Sequence, residues 1–104
     1  MGGSGSGGYA PTAPANPCEN IKFNASVNSP QPDALEDLVP GELLSVQVME
    51  GGQGVIVLRK GELVGALTGA RVAQLLDCLL MGFEYQAVVV ETDGGQCLVR
   101  VEGA

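Results

Sequence analysis

An amphipathic helix set among short strands constrains this chain more than any other feature of its sequence. The run 68–80, TGARVAQLLDCLL, has apolar residues at the period of one helix face. They are Val72, Leu75, Leu76, Leu79 and Leu80. Since packing of the apolar face supplies most helix stability in water, the helix must lie against a sheet. The spacing predicts a helix over 68–80, with Thr68 as N-cap and Gly82 at its left-handed C-terminal end.

Six other segments have the alternating or continuous apolar pattern of β-strands. They are 21–27, 43–49, 54–58, 62–67, 84–91 and 96–102. Arg59-Lys60-Gly61 and Asp93-Gly94 favour tight hairpins between neighbouring strands. A second, short helix of at most two turns is expected over 33–39. The pattern predicts a mainly β (α+β) fold with one principal helix: a small six-stranded antiparallel barrel or a strongly curved sheet, plus one short helix.

The first sixteen residues differ in composition from the rest. Residues 1–8, MGGSGSGG, have the composition of a flexible linker, natural or engineered, and the Pro/Ala-rich stretch up to residue 16 has no periodicity. We expect residues 1–16 to be a disordered linker and leader, and residues 17–104 to form a single small β-barrel-like domain.

Charge and hydropathy bear on the partners and the location. Twelve acidic residues against five basic ones give a net charge of -7, which repels polyanions and anionic membranes. No apolar stretch approaches the length of a membrane span, and no secretion signal is visible at the N-terminus. We therefore expect an acidic cytoplasmic protein with no membrane partner, and we disfavour nucleic acid as its ligand.

The residue types that catalysis needs are sparse. The chain contains no histidine, which excludes imidazole bases, serine and cysteine triads and His-containing metal sites. The carboxylates between residues 33 and 42 lack the EF-hand pattern and are expected to be solvated. We predict no enzyme activity, no catalytic or metal-ligating residue and no cofactor.

The three cysteines are an odd number at unrelated spacings, unlike a secreted disulfide framework or a CxxC site. Cys78 and Cys97 are interpreted as small apolar core residues, because no cationic neighbour lowers their thiol pKa. A disulfide between Cys18 and Cys97 stays open as an alternative, should the first and last strands be neighbours.

A candidate binding face is chosen from the few aromatic and basic side chains. It consists of Tyr85, Phe83, Arg59, Lys60 and Arg71. Aromatic residues on a strand can stack nucleic-acid bases or anchor a protein partner. A place in the core is the favoured alternative for Phe83, and for Tyr85 core and binding face stay equally open.

The central part of the chain, Val55 to Val90, contains a characteristic set of apolar and glycine positions. They are Val55, Val57, Gly61, Val64-Gly65-Ala66-Leu67, Ala73, Leu75, Leu76, Gly82 and Ala87-Val88-Val89. In these positions the segment resembles a HIRAN domain. The resemblance implies a small six-stranded barrel with helical additions, found alone in bacteria or attached to helicases, that can bind the 3′ end of single-stranded DNA. The family's Asn-Pro-x-Asp-x-Asn-Ala segment is replaced here by EGGQG at residues 50–54.

These observations favour a non-catalytic module of the bacterial accessory type that interacts with another protein. The alternative is a HIRAN-like module that binds single-stranded DNA ends. The net charge of -7 ranks the protein partner first.

Overall fold

Residues 17–28 and 30–104 are described by a computed structural model, so the disorder expected for residues 1–16 lies outside the described part. The strands are β1 (Lys22–Asn28), β2 (Leu43–Val48), β3 (Val55–Arg59), β4 (Glu62–Thr68), β5 (Tyr85–Asp93) and β6 (Gln96–Gly103). The helices are a 3₁₀ turn (Pro17–Asn20), α1 (Pro32–Glu36) and α2 (Val72–Leu80). The predicted fold class, mainly β with one principal helix, is confirmed.

The strands close into a barrel in the order β1-β4-β3-β2-β5-β6, with β6 pairing back onto β1. Every pairing is antiparallel. The register places the β3–β4 and β5–β6 hairpins at one end, here called the upper end, together with α1. The 3₁₀ turn, α2 and the first residue of β5 lie at the lower end. Of the two predicted architectures, the barrel is therefore the one that forms.

The inward face of the strands forms a core of mostly small apolar side chains. Its strand residues are Ala25, Val27, Leu44, Val46, Val55, Val57, Val64, Leu67, Tyr85, Ala87, Val89, Cys97, Val99 and Val101, all buried. A barrel of this size has an interior that side chains just fill, which favours valine and alanine. Ala34 and Leu38, from α1 and the residues after it, close the upper end.

Helix α2 begins at Val72, so the predicted start at Thr68 is wrong. Thr68 instead ends β4, where it pairs with Ser26 and its hydroxyl donates to the Ser26 carbonyl over 3.3 Å. The predicted end is confirmed, because Gly82 has φ +101° and its N–H donates to a carbonyl of the last helical turn. No helix in the described ranges is long and apolar enough to cross a membrane.

The buried side of α2 is centred differently from the predicted stripe. Leu75 and Cys78 are fully buried, whereas Leu80, at the edge of the stripe, is 61% exposed. Leu76 and Leu79 pack against the core only in part.

The cysteine predictions need correction. Cys18 forms a disulfide with Cys78, and Cys97 is a buried free thiol. Cys97 pairs with Val27 near the upper end of β1, whereas the 3₁₀ turn that holds Cys18 precedes the lower end of that strand. Neighbouring first and last strands therefore do not bring Cys18 and Cys97 together, and Cys78 is a core residue that is also covalently linked.

We predict that Leu75→Ala lowers the free energy of unfolding by about 2 to 5 kcal/mol, because it leaves a cavity between α2 and the barrel. The matched control on the same helix is Leu80→Ala, whose side chain is mostly in solvent. Urea unfolding followed by circular dichroism measures both. Equal losses from the two variants would mean that α2 does not pack as described.

Gly65 lies on β4 in close contact with the end of β1. A Cβ at this position would lie 2.5 Å from Cγ1 of Val27 and 3.0 Å from the carbonyl oxygen of Asn28. We predict that Gly65→Ala destabilises the barrel by about 1 to 3 kcal/mol through overpacking. Gly103→Ala, on another strand with no atom within 4 Å of the added Cβ, is the control. If urea titrations gave the two variants the same midpoint, the close approach would be refuted.

Candidate functional site

The two aromatic residues of the predicted binding face lie at the lower end. Tyr85 points into the barrel, is 5% exposed, and its hydroxyl donates to the Cys18 carbonyl over 2.5 Å. Burial raises the pKa of the Tyr85 phenol. Phe83 is half-buried and packs against the core. Of the alternatives left open by the sequence, the core position holds for Tyr85, and the favoured core position holds for Phe83.

The three basic residues of that face are divided between the two ends of the barrel. Arg71 lies just before α2, with its guanidinium carbon 5.2 Å from the centre of the Phe23 ring. Arg59 and Lys60 lie in the β3–β4 hairpin at the upper end. The structure thus brings Arg59 and Lys60 together but does not join them with Arg71, Phe83 and Tyr85 in one surface.

Arg59 is held by carboxylates at the upper rim of the barrel. Its Nε donates to Oε2 of Glu42, and its Nη1 lies 4.0 Å from Oδ2 of Asp37. The hydrogen bond from Arg59 lowers the pKa of Glu42, and the N–H of Val39 contributes to this, while partial burial acts in the opposite direction. Arg59 therefore joins the end of β3 to the loop before β2 and is not a free cation.

A different surface stands out on the outside of the barrel, across β5, β2, β3 and β4. We call it the apolar face, and it consists of Leu43, Leu58, Leu63, Val88 and Val90. Leu43 is 59% exposed, Leu63 41% and Val90 38%, values far above those of the inward residues. Scattered exposed apolar residues are ordinary, but a row across four neighbouring strands is the pattern of a contact surface.

The strand register places these side chains next to one another. Leu43 pairs with Val88 across β2 and β5, and Leu58 pairs with Leu63 across β3 and β4. Ser45 joins the two pairs: it is two residues after Leu43 on the same outward side and pairs with Leu58. Directly opposed residues have Cβ atoms about 5 Å apart, so the row is continuous apart from one small hydroxyl.

The opposite side of the barrel is polar. The outward residues of β1 and β6 are Lys22, Asn24, Ser26, Asn28, Gln96, Leu98, Arg100 and Glu102, of which one is apolar. Glu102 accepts hydrogen bonds from Gln86 and Arg100 over 3.1 and 2.9 Å, and these contacts lower its pKa. The exterior therefore has two distinct sides. Water solvates the polar side well and the apolar face poorly.

Charged residues surround the upper margin of the apolar face. Asp37, Glu42 and Glu62 lie near Arg59, whose pKa is raised first by its hydrogen bond to Glu42 and then by the other two carboxylates. Lys60 is the remaining basic residue at this hairpin. The rim carries three acidic groups against two basic ones and is net acidic, before counting Glu91 next to Val90.

A shallow groove of about 480 Å³ lies above the polar side, between the β5–β6 hairpin and the ends of β1 and β4. Its polar lining includes Ser26, Asn28, Thr68, Glu91, Asp93 and Gln96. The groove is open to solvent, and none of the described residues that line it is cationic. Among the described residues, no group of three or more His, Cys, Asp or Glu is placed to hold a metal ion.

Comparison with protein-family models, curated proteins and solved structures finds no match to this chain. The resemblance to the HIRAN family stays a prediction.

The apolar face was missed in the sequence, although a signal for it exists. VIVL at 55–58 and AVVV at 87–90 are continuous apolar runs, not alternating ones. A strand with one face in solvent alternates, and a continuous run is typical of a strand covered on both faces. In a closed barrel the inner face uses only every second residue, so the remaining apolar residues must point outward.

We predict that Glu42→Gln makes the unfolding free energy less dependent on pH below about 4.5, the ordinary value of this carboxyl pKa. The folded-state pKa is lowered, so the stabilisation by Glu42 is complete above the unfolded value and is lost as pH falls through the folded one. Glu36→Gln, an exposed change in α1, is the control. Urea titrations at several pH values measure both, and a wild-type slope in Glu42→Gln would contradict the assignment.

Proposed function

We propose that this chain is a non-catalytic interaction module that docks another protein through the apolar face. The observation that carries the proposal is the two-sided apolar character of β3 and β5 in a barrel whose interior is already filled. An exposed apolar row of this kind costs free energy in water, at roughly 25 cal/mol per Å² of apolar surface. A partner that covers it removes that cost.

The rim charges indicate the chemistry of the partner. Acidic groups outnumber basic ones beside Leu43 and Leu63, so a matching surface has apolar side chains flanked by lysine or arginine. A second copy of this chain matches poorly, because it would bring two acidic rims together and carries the same net charge of -7. We therefore commit to a different protein with a basic-flanked apolar segment.

The single-stranded DNA alternative has less support from the geometry. Of the aromatic residues it would use, Tyr85 is a core residue that is 5% exposed, and Phe83 is half-buried against the core. Of the basic residues, Arg59 is paired with Glu42. The cytoplasmic location expected from the sequence stays a prediction, which the state of the Cys18–Cys78 pair in the source cell will test.

The test is site-specific photo-crosslinking in the source cell, with p-benzoylphenylalanine at position 43 on the apolar face or at position 24 on the polar side. We expect one discrete adduct from position 43 and none from position 24. Mass spectrometry of the adduct should identify an apolar segment rich in lysine or arginine. Adducts of equal yield from both positions, with nucleic acid, or with a second copy of this chain would each overturn the proposal.

A binding measurement completes the test with the crosslinked segment made as a synthetic peptide. Leu43→Asp should weaken its binding by at least about tenfold, because it places a charge at the centre of the apolar row. Asn24→Asp adds the same charge on the polar side and should change the affinity less than about twofold. Circular dichroism confirms that both variants fold. Equal affinities for the two variants would contradict docking at this face.

A further inference from the structure

The domain contains a disulfide that its sequence did not predict. Cys18 and Cys78 are 60 residues apart, and their Cα atoms lie 5.5 Å from each other, within the usual range for a bridge. Both residues are almost fully buried, at 3% and 2% exposure. The bond joins the 3₁₀ turn that precedes the barrel to the buried side of α2.

The third cysteine is excluded from this bond by the barrel. Cys97 pairs with Val27 on β1, five residues along the strand from Lys22, which is about 16 Å at strand rise. Cys18 lies on the other side of Lys22, four residues before it. Burial also raises the pKa of the Cys97 thiol, which keeps it in the unreactive protonated form. Three cysteines allow three different disulfides, and the native fold therefore selects the one between Cys18 and Cys78.

Burial also decides how the bond behaves once formed. A reductant acts through a thiolate that must reach a disulfide sulfur, and a bond enclosed in the core offers no such access. Bonds that switch in the cytosol are instead exposed and transient. The position of this bond, between two elements that close the lower end of the barrel, is that of a permanent structural link.

We infer that this domain acquires the Cys18–Cys78 bond during folding in an oxidising compartment and keeps it throughout its working life. In that step two S–H bonds break and one S–S bond forms. The two protons and two electrons pass to a disulfide of a dithiol–disulfide oxidoreductase, which becomes a pair of thiols. Cys97 remains reduced. This location differs from the cytoplasm expected in the sequence analysis.

The first experiment determines the thiol state of the protein in its source cell. Acid quenching and alkylation, followed by peptide mapping, should label Cys97 alone and recover the peptides of Cys18 and Cys78 as a linked pair. Recovery of Cys18 and Cys78 as free thiols would overturn the inference. So would a mixture of both forms that follows an imposed oxidant, because it would identify a reversible switch.

The second experiment measures the equilibrium of the pair with reduced and oxidised glutathione, in the native protein and in the chain unfolded by urea. The equilibrium constant for bond formation should be roughly 30- to 1000-fold larger in the native protein, since a structural bond and the fold stabilise each other. Cys97→Ala should keep this ratio. A ratio near one would overturn the inference, and neither experiment depends on the docking partner.

Discussion

The interior of a six-stranded barrel has room only for the side chains that point inward from its strands. This limit governs the rest of the structure. Each strand supplies every second residue to that interior, which Val57, Val64 and Val99 fill with essentially no exposure. Any further apolar residue must face outward. The chain nevertheless carries continuous apolar runs in β3 and β5. The apolar face is thus a direct consequence of more apolar sequence than the interior can hold.

The two ends of the barrel must be closed by other elements, because its hydrogen-bonded strands do not cover them. Two helices of five and nine residues do so, and both are too short to persist alone in water. α1 closes the upper end with Ala34, and α2 closes the lower end with Leu75. The disulfide joins α2 to the 3₁₀ turn, so the lower closure is also covalent. The close approach of β4 to β1 at Gly65 completes the enclosure.

Local patterns predicted the strands, the hairpins and the end of α2, because each depends on residues near in sequence. The start of α2 was wrong because Thr68 pairs with Ser26, a contact 42 residues away that overrides its capping preference. The disulfide was missed for the same reason, since the choice of Cys78 depends on how the barrel closes. Tyr85 could not be assigned from alternation alone, because its partner is a carbonyl from another part of the chain. Contacts between residues distant in sequence decided the start of α2, the disulfide and the position of Tyr85.

The ion pair of Arg59 with Glu42 connects the fold with the docking face. The pairing of Arg59 with Glu42 leaves Lys60 as the single unpaired cation of the rim among the described residues, so the field beside Leu43 is negative. An apolar row alone attracts any apolar surface, including a second copy of itself. The acidic rim penalises copies and anionic partners and favours basic ones, because like charges brought together at an interface are costly. The same groups that join β2 to β3 thereby give the apolar face its selectivity.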